Sequence, residues 1–287
     1  MSRFLALIFV SATLMAFGQQ GRRTTTDKNT VFLSWGYNRS WYSNSDISFK
    51  GDSYDLTLAN ASASDRPEEF SFASYFSPEQ ILVPQFNFRA GFYVTKNWSV
   101  TLAFDHFKYV LDHGNTVNIY GNVDEGYDNV TFLSGDYSGE QIVTDSANFH
   151  YENANGMNYI RLAIDRSIPI IRATRRRKFG VTALVGGGGG PIVSGNQFRF
   201  AGEENQPTRS LSGFGLSAHT GLRFEFLHHL FLQPSIGAGY INQLKVITRP
   251  RELFGHASQQ FGYFEYNVQL GWLFHIKGKE DCDCPTW

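Results

Sequence analysis

The chain has 287 residues, a net charge of −1 and only 18% charged residues, whereas aromatic residues reach 16% and glycines number 28. The near-zero net charge gives no reason to expect nucleic acid as a partner. Few charges with many aromatics and glycines depart from the composition of a soluble domain. Beyond the N-terminus, no segment approaches the roughly 20 unbroken apolar residues of a membrane-spanning helix. A membrane location would therefore require a closed sheet, which satisfies every backbone hydrogen bond away from water.

The N-terminus has the pattern of a secretory signal. Arg3 supplies the positive start, Phe4 to Phe17 the apolar stretch, and Ala16-Phe17-Gly18 a small-x-small cleavage site. We therefore expect residues 1–18 to be a signal peptide and residues 19–30 a periplasmic segment. A lipid anchor is not expected because no cysteine lies near the cleavage site.

Strict alternation is clearest near the C-terminus, between Phe261 and Ile276. Successive strand residues point to opposite faces, so this segment has one wholly apolar face and one polar face. Because similar segments recur along the chain and no helix-period segment is left to cover them, lipid is the expected cover. The apolar face consists of Phe264, Tyr266, Val268, Leu270, Trp272, Phe274 and Ile276.

Eight alternating segments have the length of a membrane crossing, about 9–11 residues. Together they predict an all-β fold, an eight-stranded antiparallel transmembrane β-barrel over residues 31–276, followed by a periplasmic tail at 277–287. The segments are Val31 to Tyr42, Val83 to Val94, Trp98 to Tyr109, Met157 to Ile168, Phe179 to Val193, Leu211 to Leu227, Leu230 to Val246 and Phe261 to Ile276.

The connections alternate between short and long. Thr95-Lys96-Asn97 and His228-His229 are tight turns, whereas Ser43 to Leu82 and Val110 to Asn155 are long. Short periplasmic turns and long extracellular loops are typical of outer-membrane barrels. An even strand number that begins and ends on the turn side predicts both termini in the periplasm.

Two further segments leave the strand number open. Ser48 to Ala61 also alternates, and Val117 to Val123 with Gln141 to Tyr151 could form a hairpin. We interpret them as extracellular extensions because each contains Asp or has too few apolar outward residues to cross hydrocarbon. A ten-stranded barrel is the alternative.

This layout, with the aromatic-rich strand Phe264 to Phe274, resembles the small outer-membrane barrels of the OmpA, OmpX and OmpW type. The resemblance covers Val31 to Ile276, and the form without an attached globular domain is found in Bacteroidota-like proteins. It implies insertion by the barrel assembly machinery and contact with outer-membrane lipid and lipopolysaccharide. One departure is that Lys277 to Trp287 follow the last strand, which leaves the aromatic insertion signal internal.

Side-chain direction divides the strand residues into two sets. Charged residues of the inward set are expected to pair into a plug, because an eight-stranded interior is just wide enough for side chains to fill it. A narrow polar conduit is the alternative. The inward charges are Arg89, Asp105, Arg161, Asp165, Arg223, Glu225 and Glu265. The lipid-facing residues include Phe86, Phe88, Phe92, Trp98, Phe104, Phe264, Tyr266, Trp272 and Phe274.

Catalytic chemistry is not expected, and neither is a cofactor or a metal. Ser217, His219 and Glu225 are the residue types of a barrel lipid A deacylase, but alternation turns this row to the lumen, where an acyl chain cannot enter. Gly186 to Gly190 lacks the Lys-Ser/Thr of a phosphate loop. A second set suggests the Asp/His pairs of barrel proteases but is interpreted as solvated loop: Asp112, His113, His150 and Glu152.

The long loops are acidic and aromatic. Val110 to Asn155 contains no Lys or Arg, and aromatic residues lie among its carboxylates. We expect a surface that binds an extracellular ligand or protein. The sequence thus favours a structural or surface-interaction barrel, with a small-solute channel second and a lipid A-modifying enzyme third. The loop aromatics are Tyr120, Tyr127, Phe132, Tyr137, Phe149 and Tyr151.

Overall fold

A computed structural model describes residues 28–67, 69, 71–72, 75, 77, 84–128, 130, 133–146, 149–173, 178–204, 207–250 and 255–276. The expected signal peptide and the tail with Cys282 and Cys284 lie outside the described residues, as does Phe132. No helix among the described residues is long and apolar enough to cross a membrane.

The described residues form fourteen strands. They are β1 (Thr30–Tyr42), β2 (Ser45–Lys50), β3 (Tyr54–Ala61), β4 (Ala63–Ser64), β5 (Phe86–Thr95), β6 (Trp98–Leu111), β7 (Thr116–Val123), β8 (Gly135–Val143), β9 (Phe149–Ile171), β10 (Phe179–Phe200), β11 (Glu203–Glu204), β12 (Thr208–Phe226), β13 (Leu230–Ile247) and β14 (His256–His275).

Antiparallel pairing closes the long strands into a ring. Going round it, β1 pairs with β5, then come β6, β9, β10, β12, β13 and β14. β14 pairs back with β1, from Thr30 opposite His275 to Tyr42 opposite Tyr263. The predicted antiparallel barrel is therefore confirmed. Such closure leaves no free strand edge along the paired length, as hydrocarbon requires.

Short turns and both described chain ends lie at the same end of the barrel. Leu227 and His228 have φ values of 54° and 67°, and the His229 amide donates to the Phe226 carbonyl at 3.2 Å. Two consecutive positive φ values define a type I′ turn, whose twist matches that of the strands it joins. The Ile276 amide donates to the Asn29 carbonyl at 3.0 Å, which places the two chain ends side by side. This end is the periplasmic end by the rule of short turns.

The opposite end extends far past the membrane. β9 has 23 residues and β10 has 22, about twice the length of one crossing. The predicted bounds Met157 to Ile168 and Phe179 to Val193 were therefore too short. The connection Val110 to Asn155 contains the hairpin expected at Val117 to Val123, as an extracellular extension, but its second strand is β8 (Gly135–Val143) rather than Gln141 to Tyr151. Asp136, Glu140 and Glu152 lie on β8 and β9, and the other acidic residues of this connection lie outside its strands.

Four shorter strands build the wall of this extracellular extension. β14 leaves β1 above Tyr263 and pairs with β2, which pairs with β3, then β7 and β8. Their inner faces and those of the long strands enclose an apolar core that includes Phe49, Leu56 and Phe198. Phe149 and Tyr151 are fully buried in this core. The expected aromatic binding surface is therefore wrong for these two residues.

The outer face of the barrel is an apolar belt. Leu162, Leu216 and Leu270 are 61%, 58% and 56% exposed, which is far from the burial that such side chains adopt in water-soluble proteins. Along β14 the outward residues run from aromatic through aliphatic to aromatic, which is the girdle pattern of a membrane barrel. In order they are Phe264, Tyr266, Val268, Leu270, Trp272 and Phe274.

Candidate functional site

The barrel interior is the candidate site, because it is the place where alternation concentrates polar and charged groups. Its periplasmic end is closed by an apolar layer of Phe32, Tyr93, Phe231 and Leu273. The Arg223 guanidinium lies between two of these rings, 4.6 Å from the centre of Phe32 and 4.3 Å from that of Phe231. Such cation–π contacts are strongest where water is excluded.

Arg223 is held in this layer by directed hydrogen bonds. Its Nε donates to Gln233 Oε1 at 2.9 Å, and its Nη1 donates to the Tyr93 hydroxyl at 3.1 Å. The Tyr93 hydroxyl also contacts Ser167 Oγ at 2.7 Å. Glu225, on the same face of β12, accepts from Thr182 Oγ1 at 3.0 Å.

The middle of the interior is a network centred on Asp105. Arg89 and Arg161 both pair with this carboxylate, Arg161 through Nη2 at 3.2 Å. Arg161 Nη1 also donates to Ser217 Oγ at 2.5 Å. Asp105 is fully buried and Arg161 is 2% exposed. Charges this deep are stable only when paired, so the network holds one geometry.

Asp165 forms a second centre beside the first. It accepts from Thr101 Oγ1 through one oxygen and contacts His219 Nε2 at 2.8 Å through the other. Asn87 Nδ2 donates to Asn267 Oδ1 at 2.6 Å, and Gln269 Nε2 donates to Asn87 Oδ1 at 2.7 Å. These contacts join strands that are neighbours in the ring or have one strand between them.

Glu265 completes the predicted charge set and is the least satisfied member. It is fully buried, and neither carboxylate oxygen has a hydrogen bond of good geometry within the described part of the chain. Its charge lies within electrostatic reach of both Arg161 and Arg89. The seven predicted lumen charges therefore all lie inside, but only Arg89, Arg161 and Asp105 make one direct cluster.

The free space between these groups is small. The cavity lined by Arg89, Arg161, Asp165, Arg223 and Glu265 has a volume of about 30 Å³. One water molecule needs about 10–15 Å³ by this measure, so the cavity holds about two. Above it, the extracellular core of Phe107, Tyr109 and their neighbours fills the barrel again.

The catalytic candidates do not assemble. Ser217 Oγ is bound by Arg161 and contacts the Tyr159 hydroxyl at 3.5 Å, whereas His219 is directed to Asp165. A nucleophile and its base must share a hydrogen bond, and none joins Ser217 to His219 among the described contacts.

The extracellular histidines do come together. His150 Nδ1 lies 3.1 Å from His113 Nε2, and His150 Nε2 lies 3.3 Å from Glu152 Oε2. Burial, followed by the neighbouring His150, lowers the pKa of His113. Within the described residues, no group of three or more His, Cys, Asp or Glu side chains converges on a metal position.

Sequence reasoning missed the apolar layer at the periplasmic end. Phe32 and Phe231 occupy inward positions, at the same parity as Ser34 and Gln233. This layer could have been predicted from the apolar residues that occupy lumen-facing strand positions near the turn end. The extracellular core had a similar signal, since Phe107, Tyr109 and Leu111 continue the inward parity of Asp105.

The lipid-facing prediction coincides with the outer face throughout. Phe88, Phe92, Trp98, Phe264 and Tyr266 are between 38% and 44% exposed. The others are partly covered by neighbouring outward side chains: Phe86 by the stacked ring of Phe104, and Trp272 by that of His229. Phe274 is also partly exposed.

A closed antiparallel ring with an apolar outer belt, aromatic girdles and a polar interior is the architecture of an outer-membrane β-barrel. No family model matches the chain, and no curated protein does. Solved structures of similar fold include OprG of Pseudomonas aeruginosa, at 12% identity and a TM-score of 0.40, covering 88% of this chain and 100% of that chain.

Two further similar structures come from other bacteria. Ail, the attachment invasion locus protein of Yersinia pestis, is 12% identical with a TM-score of 0.31, covering 86% of this chain and 99% of that chain. The outer membrane protease OmpT of Escherichia coli is 8% identical with a TM-score of 0.35, covering 89% of this chain and 99% of that chain. At these values the likenesses assign no activity to the chain.

Proposed function

We propose that this protein is a non-enzymatic outer-membrane barrel that does not conduct solutes and acts as a structural or surface-interaction protein through its extracellular extension. The observation that supports it is the filled interior. An apolar layer, an ion-pair network and an extracellular apolar core follow one another along the axis. Its partners would be outer-membrane lipid, lipopolysaccharide, the barrel assembly machinery and an extracellular ligand or protein.

A channel needs a continuous water-filled path along the barrel axis. The layers of the interior described above each block such a path. A hydrated ion crossing the periplasmic layer would have to separate Phe32 from Phe231 and displace Arg223 from between them. It would next have to break the buried contacts of Asp105 with two arginines. Breaking a buried ion pair costs about 3–5 kcal/mol.

Planar-bilayer recording tests the filled interior. The refolded chain at high protein-to-lipid ratio is expected to give no discrete openings. A general porin in the same bilayer is the positive control, because its openings show that insertion can be detected. Discrete openings that disappear in Arg89→Ala or Arg161→Ala would contradict the proposal, because they would show that the arginines line a conducting path.

Mass analysis of lipid A tests the absence of enzymatic activity. Lipid A from cells with and without the gene is expected to carry the same acyl chains, because Ser217 is bound to Arg161 inside the barrel and not to His219. A change of acyl chains that is lost in Ser217→Ala would show that the barrel is an enzyme.

A further inference from the structure

A polar cleft opens on the outer face of the extension, where β13, β14, β2 and β3 lie side by side. It begins next to Tyr240, an outward aromatic residue at the extracellular edge of the belt. Its volume is about 580 Å³, within the range of about 300–1,000 Å³ that small-molecule sites have. Neither the closed barrel nor the filled interior requires this cleft.

The cleft exists because the wall bends there. β14 pairs with β1 up to Tyr263 and with β2 from Gln259 onward, so β1 and β2 are separated by a kink at Ser43 and Asn44. A bulge lies on each side of this kink, between β2 and β3 and between β13 and β14. Asn60 in the first bulge has a φ of 56°, a left-handed conformation that asparagine tolerates better than most residues.

The floor of the cleft consists of buried polar side chains fixed by one another. Ser45, Gln243 and Gln259 are 6%, 0% and 5% exposed. Ser45 Oγ donates to Gln259 Oε1 at 3.2 Å, and Gln259 Nε2 donates to Gln243 Oε1 at 2.6 Å. The chain continues inward, since Gln243 Nε2 donates to Ser194 Oγ at 2.8 Å and the Tyr109 hydroxyl donates to Gln259 Oε1 at 2.9 Å. Mutually bonded buried groups of this kind are rigid, so the floor is preorganised.

The walls offer amides with unused hydrogen-bonding capacity. Asn44 Nδ2 donates to Asn60 Oδ1 at 3.1 Å, and the Tyr240 hydroxyl donates to Gln260 Oε1 at 2.5 Å. Among the described contacts this leaves Asn44 Oδ1, the Asn60 and Gln260 amide nitrogens and both polar atoms of Asn242 for a ligand. Each amide group presents both donors and an acceptor.

The charges of the cleft exclude most other ligand classes. Among the described residues no lysine or arginine lines it, so a phosphate or a sulfate would find no cation there. The carboxylate of its described lining, Asp46, already accepts from the Asn60 backbone amide at 2.8 Å. Among the described lining residues the apolar side chain is Leu244, which is too little for a lipid chain and enough for one face of a sugar ring.

We propose that this cleft binds a neutral saccharide, with the amides of Asn242, Asn60 and Gln260 pairing with its hydroxyl groups. Adjacent sugar hydroxyls present a donor and an acceptor at the spacing that one carboxamide can pair with. The inference rests on the proposed function only in that it needs this face to lie outside the membrane. The saccharide could belong to the surrounding lipopolysaccharide or be free in the medium.

Saturation-transfer NMR on the folded full chain in detergent tests this proposal. One arm uses neutral outer-core oligosaccharide of lipopolysaccharide, freed of lipid A, phosphates and acidic inner-core sugars, and the other uses maltotriose, mannotriose and N,N′-diacetylchitobiose. Saturation transfer is expected in at least one arm, and the arm identifies the source. Asn242→Ala and Gln260→Ala should each weaken binding roughly fivefold, the effect of one lost hydrogen bond.

Asn122→Ala is the matched control, because Asn122 is an exposed strand amide on β7 outside the cleft. No transfer in either arm, or equal binding in all variants, would overturn the proposal. Heat-modifiable migration on gels verifies that each variant is folded, so loss of binding cannot be confused with failure of the barrel itself. If bilayer recordings show no channel openings and no saccharide binds, the proposal of a filled, non-conducting barrel still holds. Only the assignment of the cleft as a saccharide site is then overturned.

Discussion

Asp105 is the residue on which the interior network depends most. Both of its oxygens face an arginine, and no part of it is exposed to solvent. Arg89 has further acceptors in the Phe88 and Phe104 carbonyls at 3.1 Å, whereas Arg161 has Ser217. Removing the carboxylate would take the directly paired anion away from two buried cations, although the Glu265 carboxylate stays within electrostatic reach.

Asp105→Ala is therefore expected to lower the free energy of unfolding by about 3–5 kcal/mol. Urea unfolding of the refolded barrel in detergent measures this. The control is Asp136→Ala, an exposed aspartate on β8, which should change stability by less than about 0.5 kcal/mol. Equal stability of the two variants would show that the interior charges are hydrated rather than paired.

His113 makes one corner of the extracellular extension sensitive to pH. Burial lowers its pKa, so the folded state binds fewer protons than the unfolded state below about pH 6.5. The stability that depends on neutral His113 is thus present above the ordinary histidine pKa and is lost as the pH falls. The backbone bond from the Gly114 amide to the Thr144 carbonyl, 2.6 Å long, lies beside it.

Hydrogen exchange should report this loss at the Gly114 amide. After correction for intrinsic rates, its protection is expected to fall as the pH is lowered from neutral through the ordinary histidine pKa and below it. In His113→Gln the protection should no longer depend on pH over this interval. A pH dependence that persists unchanged in the variant would assign the effect to another group.

At the scale of elements, the glycine run of β10 sets how closely the strands approach. A Cβ on Gly188 would lie 2.2 Å from the Leu162 carbonyl oxygen, and one on Gly190 would lie 2.0 Å from that of Ile160. Both contacts are with the backbone of β9, which cannot rotate away. Glycines within a strand permit such a close approach of a neighbouring backbone.

Gly188→Ala is expected to destabilise the barrel by about 1–3 kcal/mol, because β9 and β10 must separate to admit the methyl group. Gly262→Ala on β14 is the control, since the nearest atoms to its Cβ lie 3.8 Å away. Urea unfolding of both variants in one detergent checks the difference. A tolerated Gly188→Ala would mean that β9 and β10 are less closely paired than described.

The starts of the strands at the turn end were predictable, but their extracellular ends were not. At the turn end, polar turn residues interrupt the alternating pattern, as between Thr95 and Trp98 and at His228. Above the membrane, the outward residues become polar while the inward ones become aromatic, so the alternation continues in opposite phase. Outward apolar rows alone therefore place the ends of β9 and β10 where the membrane ends.

At the scale of the whole molecule, the apolar belt and the filled interior are two consequences of one alternation. The sequence was enough to identify the inward charges, because the alternation of side chains along each strand places them on the lumen side. It could not show that Asp105 serves two arginines or that Arg223 binds between aromatic rings, because those contacts join strands distant in sequence. The polar cleft could not be predicted either, since its amides converge from three strands and from the kink at Asn44.

The central claim is that lipid contacts the outer belt. Nitroxide labels at Leu162→Cys, Leu216→Cys and Leu270→Cys, with Cys282 and Cys284 replaced by Ser, measure this in liposomes by power saturation. All three labels are predicted to collide more with dissolved oxygen than with a water-soluble nickel complex, and a label at the exposed Asp136→Cys to do the reverse. Belt labels that collide mainly with the nickel complex would contradict the membrane barrel and the functional proposals that depend on it.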